Sequence, residues 1–292
     1  MMIGTVPKES IISIGIACIS GIVIPVALFI YFKAKRKADA MPFFMGCLVF
    51  FVFVMLLESG INAAVFASDV GKTLRDSVLL YAIYGGVMAG LFEEVGRYLA
   101  LRLVKRRKGL RDVNSLMYGA GHGGFEAMML LGVSMFGNLT YAAAINSGRL
   151  EELTSQLSGE SLEQFMNTVN VLITTPSYTY YISIAERIFA VAIHLSLSVL
   201  VWFAITRKGK GHLFPLAILI HAAVDFVTAL VAGLGVPAVG IEAIVAGMAV
   251  AVVFFARTVW RKIKAESPDA DDTSDGTSDD GPSYSGIRRL QR

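Results

Sequence analysis

The sequence predicts an all-α protein, a polytopic bundle of about seven transmembrane helices. Hydrophobic residues make up 55% of the 292-residue chain, only 17% are charged and the mean hydropathy is +0.62. A soluble domain carries roughly 25% charged residues. Runs of about 20 apolar residues, the length that crosses a bilayer, also recur along the chain. We therefore expect a multi-pass protein of a prokaryotic plasma membrane.

Seven apolar runs define the predicted spans in chain order. They cover residues 10–32, 42–66, 78–104, 115–145, 178–205, 213–234 and 240–257. The first run is too long for a signal-peptide core and its basic residues follow it, so we interpret it as an uncleaved span. Residues 1–265 are thus predicted to form one transmembrane domain. The polar loop 146–177 is long enough to hold a short amphipathic helix.

Positive charges alternate between the ends of these spans. Four clusters at alternate ends hold 16 Lys and Arg residues, against four on the other side. The positive-inside rule therefore places the N-terminus outside and the C-terminus in the cytosol. Residues 266–292 are rich in Asp, Ser and Gly and are predicted to form a disordered acidic tail. No basic groove interleaved with aromatic residues occurs, so nucleic acid is not an expected partner.

Ionisable side chains inside four apolar runs are the main functional signal. Each costs several kcal/mol at the bilayer centre, which makes it a candidate functional residue. Glu93, His122, His194 and His221 lie 11–13 residues from the nearest basic cluster, about 16–20 Å deep at 1.5 Å per residue. Because the helices run in both directions, this agreement predicts one cluster near the middle of the bilayer, reached from the cytosolic half.

Helical spacing predicts pairs within this cluster. Arg97 follows Glu94 by three residues and Glu93 by four, so it can pair with either carboxylate. Arg187 lies seven residues before His194 and is nearly in line with it on the same helix.

Two imidazoles have a carboxylate four residues further along the chain. His122 is followed by Glu126, and His221 by Asp225. A carboxylate one helical turn away can fix the tautomer of an imidazole and raise its basicity. The four glycines near His122 allow close approach of helices or of backbone to a ligand; they are Gly119, Gly121, Gly123 and Gly124.

Two hydrolytic chemistries suit these residue types. Neutral imidazoles with a carboxylate can bind zinc and leave a position open for water, while a nearby glutamate acts as general base. The candidate zinc ligands are His122, His194, His221 and Glu126. Without a metal, a glutamate can activate water directly while histidines stabilise the oxyanion. The alternative is a non-catalytic transporter, immunity or scaffold protein, since a proton-coupled transporter would use a similar network.

The ordered motifs resemble those of the YhfC-like membrane peptidases. More broadly, they resemble the superfamily of glutamate-dependent intramembrane proteases that includes CAAX prenyl endopeptidases, bacteriocin-processing and immunity proteins, and PrsW-type proteases. The resemblance spans about residues 40–257. Its motifs are Glu93-Glu94-x-x-Arg97, Gly121-His122-Gly123-Gly124-x-Glu126, Glu186-Arg187 with His194, and His221-x-x-x-Asp225.

The resemblance implies a peptidase that cleaves a membrane-associated polypeptide in the lipid bilayer. It implies that Glu93 activates the attacking water and that Glu94 and Arg97 orient that water. It also implies that His122 and His221 bind metal or stabilise the oxyanion.

The sequence departs from the CAAX pattern at several positions, so the resemblance does not imply prenylated substrates. Two residues, not three, separate Glu94 from Arg97, and Tyr118 stands where that pattern has Phe. Asp225 occupies a position that is often Asn, and His194 is an additional histidine that favours a metal.

Overall fold

The computed structural model describes residues 4–266, and every regular element in that range is a helix. In chain order these are α1 (Lys8–Lys35), α2 (Met41–Phe66), α3 (Asp69–Arg75), α4 (Val78–Lys108), α5 (Val113–Asn146), α6 (Leu150–Thr154), α7 (Gly159–Thr174), α8 (Tyr178–Thr206), α9 (Leu213–Gly233) and α10 (Ala238–Glu266). The seven helices α1, α2, α4, α5, α8, α9 and α10 are long and apolar enough to cross a membrane. The predicted class and number of spans are therefore confirmed, and the protein is a multi-pass membrane protein.

Helix ends differ from the predicted ends most at the C-terminal span. The sequence predicts an end at residue 257, but α10 continues to Glu266. The apolar run ends at Arg257, whereas the helix continues because no Gly or Pro interrupts it and Ile263 is buried. The predicted acidic tail lies outside the described residues from residue 267 onward.

The loop before α8 contains two short helices, α6 and α7. Helix α7 has one apolar face, on which Val169 and Leu172 are almost fully buried. The predicted amphipathic helix in this loop is therefore confirmed.

Helix α8 is the core of the bundle. In its most apolar 18-residue window 61% of the residues are buried, against 17–33% in the other six spans. It packs against α1, α4, α5, α9 and α10. Apolar side chains on the outer helices face outward, as expected of a protein surrounded by lipid.

Glycines of α5 allow neighbouring helices to approach it closely. A Cβ atom on Gly121 would lie 1.9 Å from the carbonyl oxygen of Phe43 in α2. One on Gly119 would lie 2.8 Å from Cα of Leu195 in α8. The close approach predicted for these small residues is thus present, and it places His122 between α2 and α8.

A buried carboxylate connects the basic ends of three helices through hydrogen bonds and ion pairs. Asp112, just before α5, is fully buried and accepts hydrogen bonds from Trp202 Nε1 and Arg207 Nη2, each at 2.8 Å. Lys264 Nζ of α10 lies 3.0 Å from its second oxygen. This end of the bundle is therefore closed by packed and ion-paired side chains.

Candidate functional site

Four helices bring six ionisable side chains together in the middle of the bundle. Each has at most 7% of its surface exposed; they are Glu93, Glu94 and Arg97 of α4, His122 of α5, His194 of α8 and His221 of α9. The depth of these residues along their helices predicted one cluster, and the structure contains it.

One oxygen of Glu93 is surrounded by imidazoles. Its Oε2 atom lies 2.8 Å from Nε2 of His122, 3.8 Å from Nε2 of His221 and 3.9 Å from Nδ1 of His194. The ring of His194 is centred 4.9 Å from that of His122 and 5.4 Å from that of His221. Glu93 is therefore the point at which the three histidines meet.

Glu94 forms the buried support of the site. Its Oε1 atom lies 2.8 Å from Nδ1 of His221, and its Oε2 atom accepts a hydrogen bond of 2.9 Å from Nε of Arg97. Neither the Glu94 nor the Arg97 side chain is exposed. Of the two carboxylates open to Arg97 by spacing, the structure pairs it with Glu94.

Arg97 also fixes His194. Its Nη1 atom donates to the carbonyl oxygen of His194 at 3.0 Å and to Oγ of Ser198 at 2.5 Å. Its Nη2 atom lies 3.0 Å from Nδ1 of His194. Because a guanidinium has no acceptor, Nδ1 accepts and the proton of the neutral ring is on Nε2. Ser198 was not predicted as a site residue, although it lies one turn after His194.

Glu126 lies beside the other nitrogen of the His194 ring. Nε2 of His194 lies 2.6 Å from Oε2 of Glu126, whose other oxygen accepts from Nη1 of Arg187 at 2.5 Å. Arg187 also pairs with Glu186. Glu126 therefore contacts a histidine of α8 rather than His122, its neighbour by spacing on α5.

The predicted pair of His221 and Asp225, one turn apart on α9, is present. Nε2 of His221 lies 3.4 Å from Oδ2 of Asp225. Tyr118 stacks on His122 with ring centroids 6.0 Å apart, and the Arg97 guanidinium carbon lies 5.8 Å from the centre of the Tyr118 ring.

A cavity of about 100 Å³ adjoins the cluster. Since water occupies about 30 Å³ per molecule, this space suits a few waters. Its polar and charged lining residues are Glu93, Glu126, Glu186, Arg187, His194, His221, Asp225 and Thr228. Glu93 thus faces the cavity, whereas Glu94 is buried in its pairs with His221 and Arg97.

The cavity extends toward Thr228 and Val245, which lie near the ends of α9 and α10 that have no basic cluster. The cavity therefore lies toward the helix ends without basic clusters, whereas the sequence predicts access from the ends that carry them. The distance of a residue from the basic clusters gives its depth in the membrane. It does not indicate on which side of the residue the helices leave a cavity.

Comparison with known proteins identifies the family of the chain. Residues 20–248 match the family described as YhfC intramembrane metalloprotease, a match over most of the chain. The chain belongs to this family. The Bacillus subtilis (strain 168) protein described as "Uncharacterized membrane protein YhfC" is 39% identical over 220 residues, covering 74% of this chain and 83% of the relative. No solved structure matches the chain.

The description of the YhfC family implies a metal, and the donor geometry of this chain fits one. Glu93, His194 and His221 each offer a ligand atom, all within 4.8 Å of one another. Glu94 holds Nδ1 of His221, the carboxylate–imidazole arrangement usual behind a metal-bound histidine. His194 could bind a metal only if Arg97 released its Nδ1 atom. A metal on Nδ1 would take the place of Arg97, and a metal on Nε2 would leave the ring proton on Nδ1, facing the arginine.

The charge of the cluster also fits a cation. Five carboxylates stand against two guanidinium groups: Glu93, Glu94, Glu126, Glu186 and Asp225 against Arg97 and Arg187. A divalent cation would offset part of this excess. His122 fits less well as a ligand, because its Nδ1 atom has no hydrogen-bond partner in the described part of the chain. Its assignment as a ligand stays a prediction.

Proposed function

We propose that the chain is an intramembrane peptidase in which Glu93 activates the water that attacks a peptide bond of a membrane-associated polypeptide. One observation supports this most strongly. A nearly buried carboxylate oxygen, with nitrogens of three imidazoles within 3.9 Å, belongs to a residue on the wall of a water-sized cavity. A general base must lie within hydrogen-bond reach of the proton that it removes, and Glu93 lines the cavity in which the attacking water would be placed.

The reaction is a hydrolysis. The water oxygen bonds to the carbonyl carbon and Glu93 takes a water proton. The C–N bond then breaks, and the amine nitrogen receives the proton that Glu93 took from the water. Without a metal, His221, protonated on both ring nitrogens, would stabilise the oxyanion on the carbonyl oxygen through its Nε2–H group, since its Nδ1 atom faces Glu94.

Glu94 and Arg97 act as positioning residues in this proposal. Both are fully buried, and together they contact His194 and His221 on two other helices. They would hold the imidazoles around Glu93, as outer groups orient catalytic histidines in other hydrolases.

A divalent metal would be held by His221 with one oxygen of Glu93, completed by His194 or Glu126, and the other oxygen of Glu93 would remain to take the water proton. When bound, it would polarise the substrate carbonyl and favour the hydroxide form of water. Zinc suits this set, because imidazoles with a carboxylate are its usual catalytic ligands.

The non-catalytic alternative, a transporter, receives less support. Transporters commonly bind substrate at discontinuous helices near the midplane. Here α4, α8 and α9 keep α-helical geometry from end to end as they pass the cluster. The widened π-helical turns, Phe50–Glu58 of α2 and Met128–Val133 of α5, leave those helices continuous.

Comparison of membrane-protein fragments tests the proposal. Strains that produce the wild type, Glu93→Gln or Glu163→Gln are compared by sequencing new protein termini in the membrane fraction. Glu163 is an exposed glutamate of α7 and serves as the matched control. We expect one or more cleaved termini in the wild type and the Glu163→Gln strain that are absent with Glu93→Gln. An identical set of termini in all three strains contradicts the proposal.

A further inference from the structure

We propose that the site is reached from the membrane face opposite the basic clusters, so that its substrate is cleaved in the extracytoplasmic half of the membrane. The statement that a substrate is cleaved there rests on the proposed peptidase function. The direction of access itself rests only on the packing around the cluster.

The side chains one helical turn from the site toward the basic ends are all fully buried. They follow Glu93 and His194, and precede His122 and His221, by four residues; they are Arg97, Ser198, Tyr118 and Ala217, each 0% exposed. They come from all four helices of the site. A closed layer thus lies between the cluster and the basic ends of the helices.

One turn in the other direction, all four equivalent residues are partly exposed. They are Ala89, Glu126, Ala190 and Asp225. The last three also line the cavity. The same four helices are therefore sealed on one side of the cluster and open on the other.

Exposure of the acidic side chains increases in the open direction. The side chain of Glu93 is 9% exposed, whereas those of Glu186 and Asp225 are 33% and 39% exposed. Carboxylates in the membrane are stable where they face water or a partner. This gradient therefore indicates a water-filled entrance on the side of Glu186 and Asp225.

The closed side has a second barrier. Asp112 binds Trp202, Arg207 and Lys264 at the basic ends of α5, α8 and α10. Trp202, which donates to Asp112, is itself fully buried. Opening a path here would require breaking a buried ion pair, which costs several kcal/mol.

The positive-inside rule identifies the two faces. Basic clusters lie at the end of α4, just after α8 and in the last part of α10. The face at which these helix ends lie is therefore cytosolic. The open side is then extracytoplasmic. The substrate class that fits is a membrane-anchored polypeptide with its scissile bond within the outer half of the bilayer.

Thiol labelling in intact cells tests the direction of access. In a Cys18→Ala/Cys47→Ala background, single cysteines are placed at Thr228 in the cavity, at Ser155 in the exposed loop and at Lys208 beside the basic cluster. Ile83 of α4 is the lipid-facing control, because it is 44% exposed and lies as far from Val78 as Thr228 lies from Gly233. The probe is a charged maleimide that does not cross membranes.

We expect Thr228→Cys to react in intact cells together with Ser155→Cys, at least several-fold faster than Ile83→Cys. Lys208→Cys should react only after permeabilisation. A cysteine at Val245 provides a second cavity position should Thr228→Cys fail to fold. Reaction of the cavity cysteines only together with Lys208→Cys, or no faster than Ile83→Cys, would overturn the proposal, as would reaction of Ser155→Cys only after permeabilisation. Labelling requires no catalysis, so this result is independent of whether Glu93-dependent fragments exist.

Discussion

The guanidinium of Arg97 holds His194 by two contacts, one of 3.0 Å to ring Nδ1 and one of 3.0 Å to the main-chain oxygen of the same residue. Because Arg97 also donates to Glu94, which contacts His221, a single cation on α4 orders histidines of two other helices. The planar arginine fork makes this possible, since it presents five donors in fixed directions.

Replacing Arg97 by lysine should therefore separate charge from geometry. The variant keeps the positive charge but cannot reach Glu94, Ser198 and the His194 ring at the same time. We expect cleavage to fall about 100-fold, the cost typical of an ångström-scale misplacement of catalytic groups. Formation of Glu93-dependent fragments measures this, with Arg102→Lys in the exposed part of α4 as control. Unchanged cleavage by Arg97→Lys would show that the fork geometry is not needed.

The two adjacent glutamates should differ in their effects on stability. Glu94→Gln leaves Arg97 buried without its carboxylate, and breaking a buried pair in this way costs about 3–5 kcal/mol. Glu93→Gln removes no partner of a buried arginine and keeps the shape of the side chain. In thermal unfolding of detergent-purified protein, we expect a clearly lower Tm for Glu94→Gln and a Tm close to the wild type for Glu93→Gln. Equal melting temperatures for the two variants would contradict the assignment of Glu94 as the support.

Metal binding should depend on His221 and not on His212. His212 is an exposed histidine before α9 and is the matched control. After purification with zinc, elemental analysis should find the metal in the wild type and in His212→Ala, and only background zinc in His221→Ala. Glu94→Gln, which loses the carboxylate behind His221, should bind zinc about 10–100-fold more weakly. The same zinc content in His221→Ala as in the wild type would rule out this site.

The glycine contact of α5 with α2 should be sensitive to one methyl group. A Cβ on Gly121 would lie 1.9 Å from a backbone oxygen of α2, so Gly121→Ala must separate the two helices. Overpacking of this kind costs about 1–3 kcal/mol. Gly137→Ala on the same helix is the control, because a methyl group there would meet no neighbouring helix within 4 Å. We expect a lower Tm for Gly121→Ala alone, and equal Tm values would contradict the packing described for His122.

The sequence was sufficient to predict that the histidines and Glu93 meet, because each lies at a similar distance from a basic cluster. It could not predict the partners across helices. Glu126 lies one turn from His122, but the packing of α5 against α8 places it 2.6 Å from His194 instead. Spacing along one helix limits only the neighbours on that helix.

The direction of access was also beyond the sequence. The number of residues from a basic cluster gives the depth of a site residue but does not distinguish the two sides of the cluster. In the structure, Tyr118 and Arg97 are fully buried on one side, and Asp225 is partly exposed on the other. Helix α10 also continues beyond the predicted span 240–257. Hydropathy indicates where a chain leaves the hydrocarbon region, and a charged helix can continue beyond that point.

The most direct test of the proposed function is the cleavage rate of purified protein. The wild type and Glu93→Gln are each reconstituted in liposomes with a membrane protein whose cleavage depends on Glu93 in cells. Loss of a general base typically lowers a rate by about 10²–10⁴-fold. We therefore predict a fall of at least about 100-fold for Glu93→Gln at an unchanged Tm, and a wild-type rate for Glu163→Gln. Cleavage by Glu93→Gln at the wild-type rate would contradict the central role of this carboxylate.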